Sequence, residues 1–168
     1  SRHGITEIIL LCCYKYDLFK KKYHKKKVLN SKVICLNEKK PLGTGGGLLK
    51  FKDKLNKYFY VLNGDTIFDI NYLDFQKKLQ KKKYICIATT NKKGSRYGKI
   101  SKSNGNINAG IYILNKKIFK FFKKGFISLE KDIFPKLKER KKIQTIFYEK
   151  DKHNFLDIGI PSDFKLSH

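Results

Sequence analysis

Short apolar runs alternate along the chain with lysine-rich stretches, and this alternation is the dominant pattern of the sequence. Apolar runs of four to eight residues are typical of buried strands, and their alternation with amphipathic helices is typical of α/β folds with a mainly parallel sheet. Because the first run is nearly continuous, we expect it to be a strand covered on both faces. The predicted strands are residues 5–12, 33–36, 59–62, 84–88, 109–114, 143–148 and 155–158.

The stretches between the apolar runs predict helices. Ser128 is a suitable N-cap for one of them, and Glu130 then lies in its first turn, where the helix dipole favours a negative charge. Pro135 is expected to bend or stop that helix. The other predicted helices are residues 16–24, 48–55, 72–80 and 118–122.

A chain of 168 residues without an internal repeat or linker predicts a single domain over residues 1–168. Its longest apolar run, residues 8–14, is far shorter than the roughly 20 residues that span a bilayer, so no membrane span is expected. The chain starts at Ser1 rather than at Met and shows no signal-peptide pattern. We therefore expect it to be part of a longer protein.

The net charge of +25 would ordinarily suggest a nucleic-acid partner. However, only three of the 39 basic residues are arginine, the residue that best forms bidentate contacts with phosphate and guanine. The abundance of Lys, Asn, Ile, Phe and Tyr fits an A/T-rich coding bias instead. We expect scattered, solvated lysines and no specific nucleic-acid binding, although such a field attracts anionic nucleotides.

The cysteines and histidines show no metal-site spacing, since no C-x-x-C or H-E-x-x-H pattern occurs. Cysteines inside apolar runs are more typical of small buried thiols than of ligands, and free thiols favour a reducing, cytoplasmic location. The residues concerned are Cys12, Cys13, Cys35, Cys86, His3, His24, His153 and His168.

Residues 43–47 contain four glycines and lie between a predicted strand and a predicted helix. Glycine permits positive φ and lets a ligand approach the backbone closely, and helix-start amides can face an anion. The segment matches neither the Walker A pattern nor G-x-G-x-x-G. Taken alone it predicts either a tight connection or a ligand-binding loop.

Two aspartates follow apolar strands: Asp65 ends the run Leu62-Asn63-Gly64-Asp65, and Asp157 precedes Gly159 by two residues. Ligands of open α/β sheets gather at the carboxyl ends of strands, and Mg²⁺ binds through one or two carboxylates together with substrate phosphates. Asn-Gly-Asp is also a good turn sequence. Because the pattern occurs at two strand ends, it favours a metal site over a pair of turns.

Five motifs together resemble the sugar-phosphate nucleotidyltransferases, and most of all the heptose-1-phosphate guanylyltransferases. The motifs are PLGTGGG at 41–47, LNGD at 62–65, NAGIY at 108–112, SLEKDIFP at 128–135 and FLDIGIP at 155–161. The resemblance implies a Rossmann-like nucleotide-binding fold. It also implies Mg²⁺-dependent transfer of a nucleotidyl group from an NTP to a sugar 1-phosphate, with release of pyrophosphate.

The resemblance also implies roles for individual residues. Asp65 and Asp157 are the expected catalytic residues and Mg²⁺ ligands. Glu38 lies where relatives place the side chain that reads the base, which favours GTP; alternatively it is a solvated partner of Lys39 or Lys40. The other implied nucleotide-binding residues are Pro41, Gly43, Thr44, Gly45, Gly46, Asn63 and Gly64. The implied sugar-site residues are Gly98, Asn108, Ala109 and Glu130.

Two departures from the family pattern leave alternatives open. The N-terminal glycine-rich signature and its Pro-Lys-Pro segment are absent, and only residues 99–107 separate Gly98 from Asn108, without the Glu-Lys pair of relatives. The chain is thus expected to be an N-terminally truncated enzyme that makes an NDP-sugar for surface polysaccharide. The alternatives are a catalytically incomplete fragment or decayed copy that only binds ligands, and a basic nucleic-acid-binding domain. A homo-oligomer is a further expectation.

Overall fold

The structure is a computed structural model, and it describes residues 3–91 and 106–159. The chain divides into two compact units, which are described separately below. The first unit contains residues 1–54 and 121–135, and the second contains residues 55–120 and 136–168. The predicted residue Gly98 lies outside the described residues.

The first unit contains a three-stranded sheet with the order β1-β3-β2. Strand β1 runs parallel to β3, whereas β2 forms an antiparallel hairpin with β3. The elements are β1 (Glu7–Cys12), α1 (Tyr16–Tyr23), β2 (Lys27–Val28), β3 (Ser31–Asn37) and α2 (Gly43–Lys50). A π-helical turn, Leu129–Ile133, also belongs to this unit, and Ser128 caps it by accepting a hydrogen bond from the Lys131 amide, as predicted.

The second unit contains a four-stranded sheet with the order β4-β7-β6-β8 and a two-stranded ribbon, β5-β9. Its strands are β4 (Tyr58–Leu62), β5 (Thr66–Phe68), β6 (Ile85–Asn91), β7 (Asn106–Asn115), β8 (Ile143–Phe147) and β9 (Phe155–Asp157). Helix α3 (Tyr72–Lys77) follows β5. Helix α4 (Phe134–Glu139) leads from the first unit into the second and has Pro135 at its second position, where a missing N–H is tolerated; Pro135 therefore does not stop the helix.

The core of the second unit forms around β6 and β7. Both strands are almost completely buried, and they are the two central strands of the four-stranded sheet. Phe75 of α3 packs into this core and is fully buried. The cluster also contains Phe68, Ile70, Cys86, Ala88, Ile107, Ala109, Ile111, Ile113, Tyr148 and Phe155.

The α/β fold is confirmed, but the pairing within the sheets is more antiparallel than the sequence predicts. The parallel pairs are β1 with β3 and β6 with β8, whereas β7 runs antiparallel to both β4 and β6. Apolar runs of buried strands look alike in both directions, so the sequence did not reveal this. Strand β1, at the edge of its described sheet, is only half-buried, so it lacks the burial expected of a strand covered on both faces.

Among residues 3–91 and 106–159, no helix has the length and apolar character needed to cross a membrane.

Candidate functional site

The antiparallel ribbon β5-β9 brings Asp65 and Asp157 together. Thr66 pairs with Asp157, and the Ile158 amide donates a 2.8 Å hydrogen bond to the Asp65 carbonyl oxygen. A Cβ built on Gly159 would lie 3.0 Å from Asp65 Oδ2 and 3.1 Å from Asp157 Oδ1. The two carboxylate oxygens therefore lie within about 6 Å of each other, and Asp157 Oδ1 also accepts a 3.1 Å hydrogen bond from the Gly159 amide.

The route by which these aspartates meet differs from the sequence prediction. Asp65 follows β4 by three residues and directly precedes β5, whereas Asp157 is the last residue of β9. Because β5 and β9 are antiparallel, the start of one strand lies beside the end of the other. The convergence is thus produced by a short ribbon rather than by two parallel strands ending at the same sheet edge.

The donor set beside Gly159 fits Mg²⁺. Two carboxylates whose oxygens lie this close together are hard oxygen ligands, and Mg²⁺ usually takes one or two such groups and completes its coordination with water and phosphate oxygens. No group of three or more acidic, histidine or cysteine side chains suited to a metal occurs in the part of the chain that the structure describes. Two carboxylates leave most of the coordination of Mg²⁺ to water and phosphate oxygens, which suits a metal that binds together with a phosphorylated substrate.

Gly110 of β7 holds the turn before Asp65 in place, a role that the sequence interpretation missed. It has φ +68°, and a Cβ there would lie 2.8 Å from Asn63 Nδ2 and 3.0 Å from Thr66 Oγ1. The backbone N–H of Asn63 donates a 2.9 Å hydrogen bond to the Gly110 carbonyl oxygen. The predicted sugar-site residue Asn108 accepts from the Gly110 amide and donates to the Tyr112 hydroxyl. The motif NAGIY thus shapes the turn that positions Asp65.

Two further predicted residues of this unit differ in accessibility. Ala109 is buried, and its assignment to the sugar site stays a prediction. Gly64 is exposed, and a Cβ there would meet no atom within 4 Å. Space beside the Asn63-Gly64 turn is therefore open to a ligand.

The glycine-rich segment of the first unit is helical, although the sequence predicts a loop and a helix start at residue 48. Helix α2 begins at Gly43, whose φ is +77° and where an added Cβ would collide with the Ile127 carbonyl oxygen. A Cβ on Gly45 would lie 2.8 Å from the Ile127 side chain, and one on Gly46 would lie 2.9 Å from the Gly125 carbonyl oxygen. The glycines therefore let residues 125–127 pack directly against the helix backbone.

Thr44 and Glu130 fasten this packing with a shared set of hydrogen bonds. Thr44 Oγ1 donates to Glu130 Oε2 at 2.8 Å and accepts from the Leu129 amide at 2.8 Å. Ser128 Oγ donates to the same carboxylate oxygen at 3.0 Å. Glu130 thus contacts Thr44, a predicted nucleotide-binding residue, and its assignment to the sugar site stays a prediction. Pro41 is exposed two residues before α2.

Glu38 lies directly after β3, and its side chain packs against α2 rather than projecting freely into solvent. Its Oε1 occupies the space that a Cβ on Gly47 would need. Burial raises the pKa of the Glu38 carboxyl, while the nearby Lys50 ammonium acts in the opposite direction. Lys50 Nζ donates to the carbonyl oxygens of Asn37 and Glu38, at 3.0 and 3.1 Å. The Glu38 side chain therefore packs against α2, and Lys50 of the same helix holds its backbone.

Comparison with known proteins decides the family. The sequence profile of the nucleotidyl transferases matches residues 1–107. The chain is 36% identical to the D-glycero-α-D-manno-heptose 1-phosphate guanylyltransferase of Campylobacter jejuni, over 98% of this chain and 78% of that protein. The chain belongs to the sugar-phosphate nucleotidyltransferase family. A second relative of this family, the enzyme of the same name from Aneurinibacillus thermoaerophilus, is 31% identical over the same shares of the two chains.

Solved structures of this family agree with the fold. The crystal structure of HddC from Yersinia pseudotuberculosis matches with a TM-score of 0.82 at 29% identity, covering 98% of this chain and 78% of that one. A second structure of that protein, complexed with GMP-PN, matches equally well. The nucleotidyltransferase fold expected from the sequence is thereby confirmed.

Proposed function

We propose that this chain acts in the transfer of a nucleotidyl group, GMP by preference, from an NTP to a sugar 1-phosphate. The observation that carries the proposal is the convergence of Asp65 and Asp157 beside Gly159 in a chain of this family. The two relatives compared above are both named as guanylyltransferases, which favours GTP as the nucleotide.

The chemistry requires no side-chain nucleophile. A phosphate oxygen of the sugar 1-phosphate attacks the α-phosphorus in line, the bond from that phosphorus to the bridging oxygen of the β-phosphate breaks, and pyrophosphate leaves. Bound Mg²⁺ would neutralise negative charge on the phosphates. Asp65 and Asp157 would hold it beside Gly159.

Glu38 is the proposed determinant of the base. Guanine presents N1–H and the exocyclic N2–H₂ on one edge, and an ionised carboxylate accepts both in charge-assisted hydrogen bonds. Uracil and thymine present one N–H flanked by carbonyl oxygens, which repel a carboxylate. The proposal is supported by the placement of Glu38 directly after β3, beside α2.

The proposal is tested on the protein translated from the complete reading frame. Pyrophosphate release is measured with GTP, UTP, dTTP and CTP, each paired with heptose, mannose and glucose 1-phosphates. We expect turnover that requires Mg²⁺ and is fastest with GTP. Glu38→Gln is expected to reduce the preference for GTP over the other three nucleotides. GTP binding without pyrophosphate release would instead identify a binding module. Salt-resistant, sequence-selective DNA binding would identify a nucleic-acid-binding domain.

Location and assembly are further proposals. All four cysteines are free thiols, which supports a reducing, cytoplasmic location. Homo-oligomer formation stays a prediction and is measured by light scattering of the purified protein.

A further inference from the structure

Position 47 of helix α2 has a packing requirement different from that of the other glycines in its segment. Gly43, Gly45 and Gly46 face residues 122–127 or Leu42, all within the packing of the helix start. Gly47 instead faces the side chain of Glu38, and Leu11 Cδ1 of β1 lies 3.2 Å from the Cβ position. The absence of a side chain at residue 47 therefore leaves room for Glu38 first of all, with Leu11 as the next neighbour.

We infer that Gly47 is a positioning residue that fixes the Glu38 carboxylate against α2, and so determines nucleotide specificity. This inference rests on the proposed role of Glu38 in reading the base. An alanine at position 47 would place its Cβ on Glu38 Oε1, so the carboxylate would have to move away from the helix.

Lys50 supplies the second half of the arrangement. It lies one turn after Gly47, and its ammonium holds the backbone carbonyl oxygens of Asn37 and Glu38. Gly47 thus leaves room for the side chain of Glu38, while Lys50 fixes the backbone that carries it. Because both residues belong to one helix, the direction of the carboxylate is set relative to α2.

A glycine in the last turns of a helix is otherwise costly. Gly is among the poorest helix formers, and replacing it by Ala stabilises a helix where the added methyl group has space. A glycine kept at a buried helical position is therefore expected to have a packing reason. Here that reason is the neighbouring carboxylate.

The first test is a thermal-unfolding cycle without nucleotide. In a Glu38→Ala background, the methyl group of Gly47→Ala no longer meets the carboxylate, and Leu11 Cδ1, at 3.2 Å, is the flexible end of a side chain that can shift. The gain in helix propensity should then raise Tm by about 2–4 °C. In the parent protein, the same substitution should leave Tm unchanged or lower it. With Glu38→Gln, which keeps the size of the side chain, Gly47→Ala should behave as in the parent. Equal increases of Tm in all three backgrounds would overturn the inference.

The second test measures specificity in the full-length enzyme. Gly47→Ala should reduce the GTP-to-UTP ratio of kcat/KM by about tenfold, through a higher KM for GTP. Lys50→Ala should act in the same direction, whereas Lys52→Ala, which removes an equal charge two residues later, should not. A parent enzyme without GTP preference would overturn the proposed role of Glu38 and with it the specificity role of Gly47, leaving only the packing seen in the Tm cycle. If Glu38→Ala abolished the preference of the parent enzyme for GTP but Gly47→Ala left that preference intact, the proposed role of Glu38 would stand and the inference about Gly47 would be overturned.

Discussion

The Thr44 hydroxyl donates a 2.8 Å hydrogen bond to the carboxylate of Glu130, a residue 86 positions later in the chain. The same hydroxyl accepts from the amide of Leu129, which is fully buried. One side chain therefore ties the start of α2 to the π-helical turn at Leu129–Ile133. The family motifs around 41–47 and 128–135, far apart in sequence, form a single packing unit.

Removal of the Thr44 hydroxyl is expected to destabilise the protein. Thr44→Val keeps the shape of the side chain but leaves the Leu129 amide without its partner, which costs about 1–3 kcal/mol for a buried donor. Thr44→Ser keeps the hydroxyl and serves as the control. Urea unfolding followed by circular dichroism measures both, and equal stability of the two variants would contradict the role of the hydroxyl.

Gly43→Ala is expected to cost more than an ordinary glycine substitution. The new residue would have to adopt φ +77°, and its Cβ would collide with the Ile127 carbonyl oxygen. A left-handed backbone alone costs a non-glycine residue about 1–2 kcal/mol. The matched control is Gly64→Ala, where no atom lies within 4 Å of the added Cβ. If the two variants unfolded at the same urea concentration, the contact with the Ile127 carbonyl oxygen would not be what excludes a side chain at position 43.

Loss of either converging carboxylate is expected to abolish most of the activity. Asp65→Asn and Asp157→Asn should each lower kcat by about 10²–10³, because charge stabilisation at the reacting phosphates is lost. Gly159→Ala should weaken the Mg²⁺ dependence, since its Cβ would lie 3.0 Å and 3.1 Å from the two carboxylates. Asp53→Asn, on the exposed 3₁₀ turn Lys52–Lys54, is the control. If activity depended on Mg²⁺ concentration in the same way in all variants and in the parent enzyme, Asp65 and Asp157 would not form the metal site.

The pH dependence of stability should change in Glu38→Gln. Burial raises the pKa of Glu38 above its ordinary value of 4.5, so the folded state holds this proton more tightly than the unfolded state. The contribution of Glu38 to stability is thus present at low pH and is lost as pH rises through 4.5 and past the folded pKa. With Gln at position 38, the free energy of unfolding should fall less steeply as the pH rises. Parallel curves for parent and variant, measured by urea unfolding from pH 4 to pH 7, would contradict this.

The four thiols should differ sharply in reactivity. Cys86 is fully buried, and burial raises its pKa to about 12, whereas Cys13 is partly exposed. Burial also raises the pKa values of Cys12 and Cys35. A disulfide reagent at pH 8 should label Cys13 rapidly and the other three only on unfolding. Cys13→Ser should remove the rapid phase of labelling. Rapid labelling of Cys86 in the folded protein would contradict the buried position of its thiol.

The sequence by itself predicted the elements whose signal is local. Apolar runs located most of the strands, the helix of residues 16–24 matches α1, and the Ser128 cap was predicted because a hydroxyl before Glu130 is a local signature. The short strands β2 and β5 were missed, since two or three residues carry too little periodicity. The family was also recognisable from motifs in order along the chain.

Only the tertiary structure decided which residues meet. Asp65 and Asp157 converge through an antiparallel ribbon, and nothing in the strand sequences encodes the direction of pairing. The glycines of residues 43–47 look like a loop, because glycine disfavours helices, yet residues 125–127 and Glu38 occupy the space that their side chains would need. Close packing against distant segments therefore overrides local propensity here, and a sequence read locally contains no information about those neighbours.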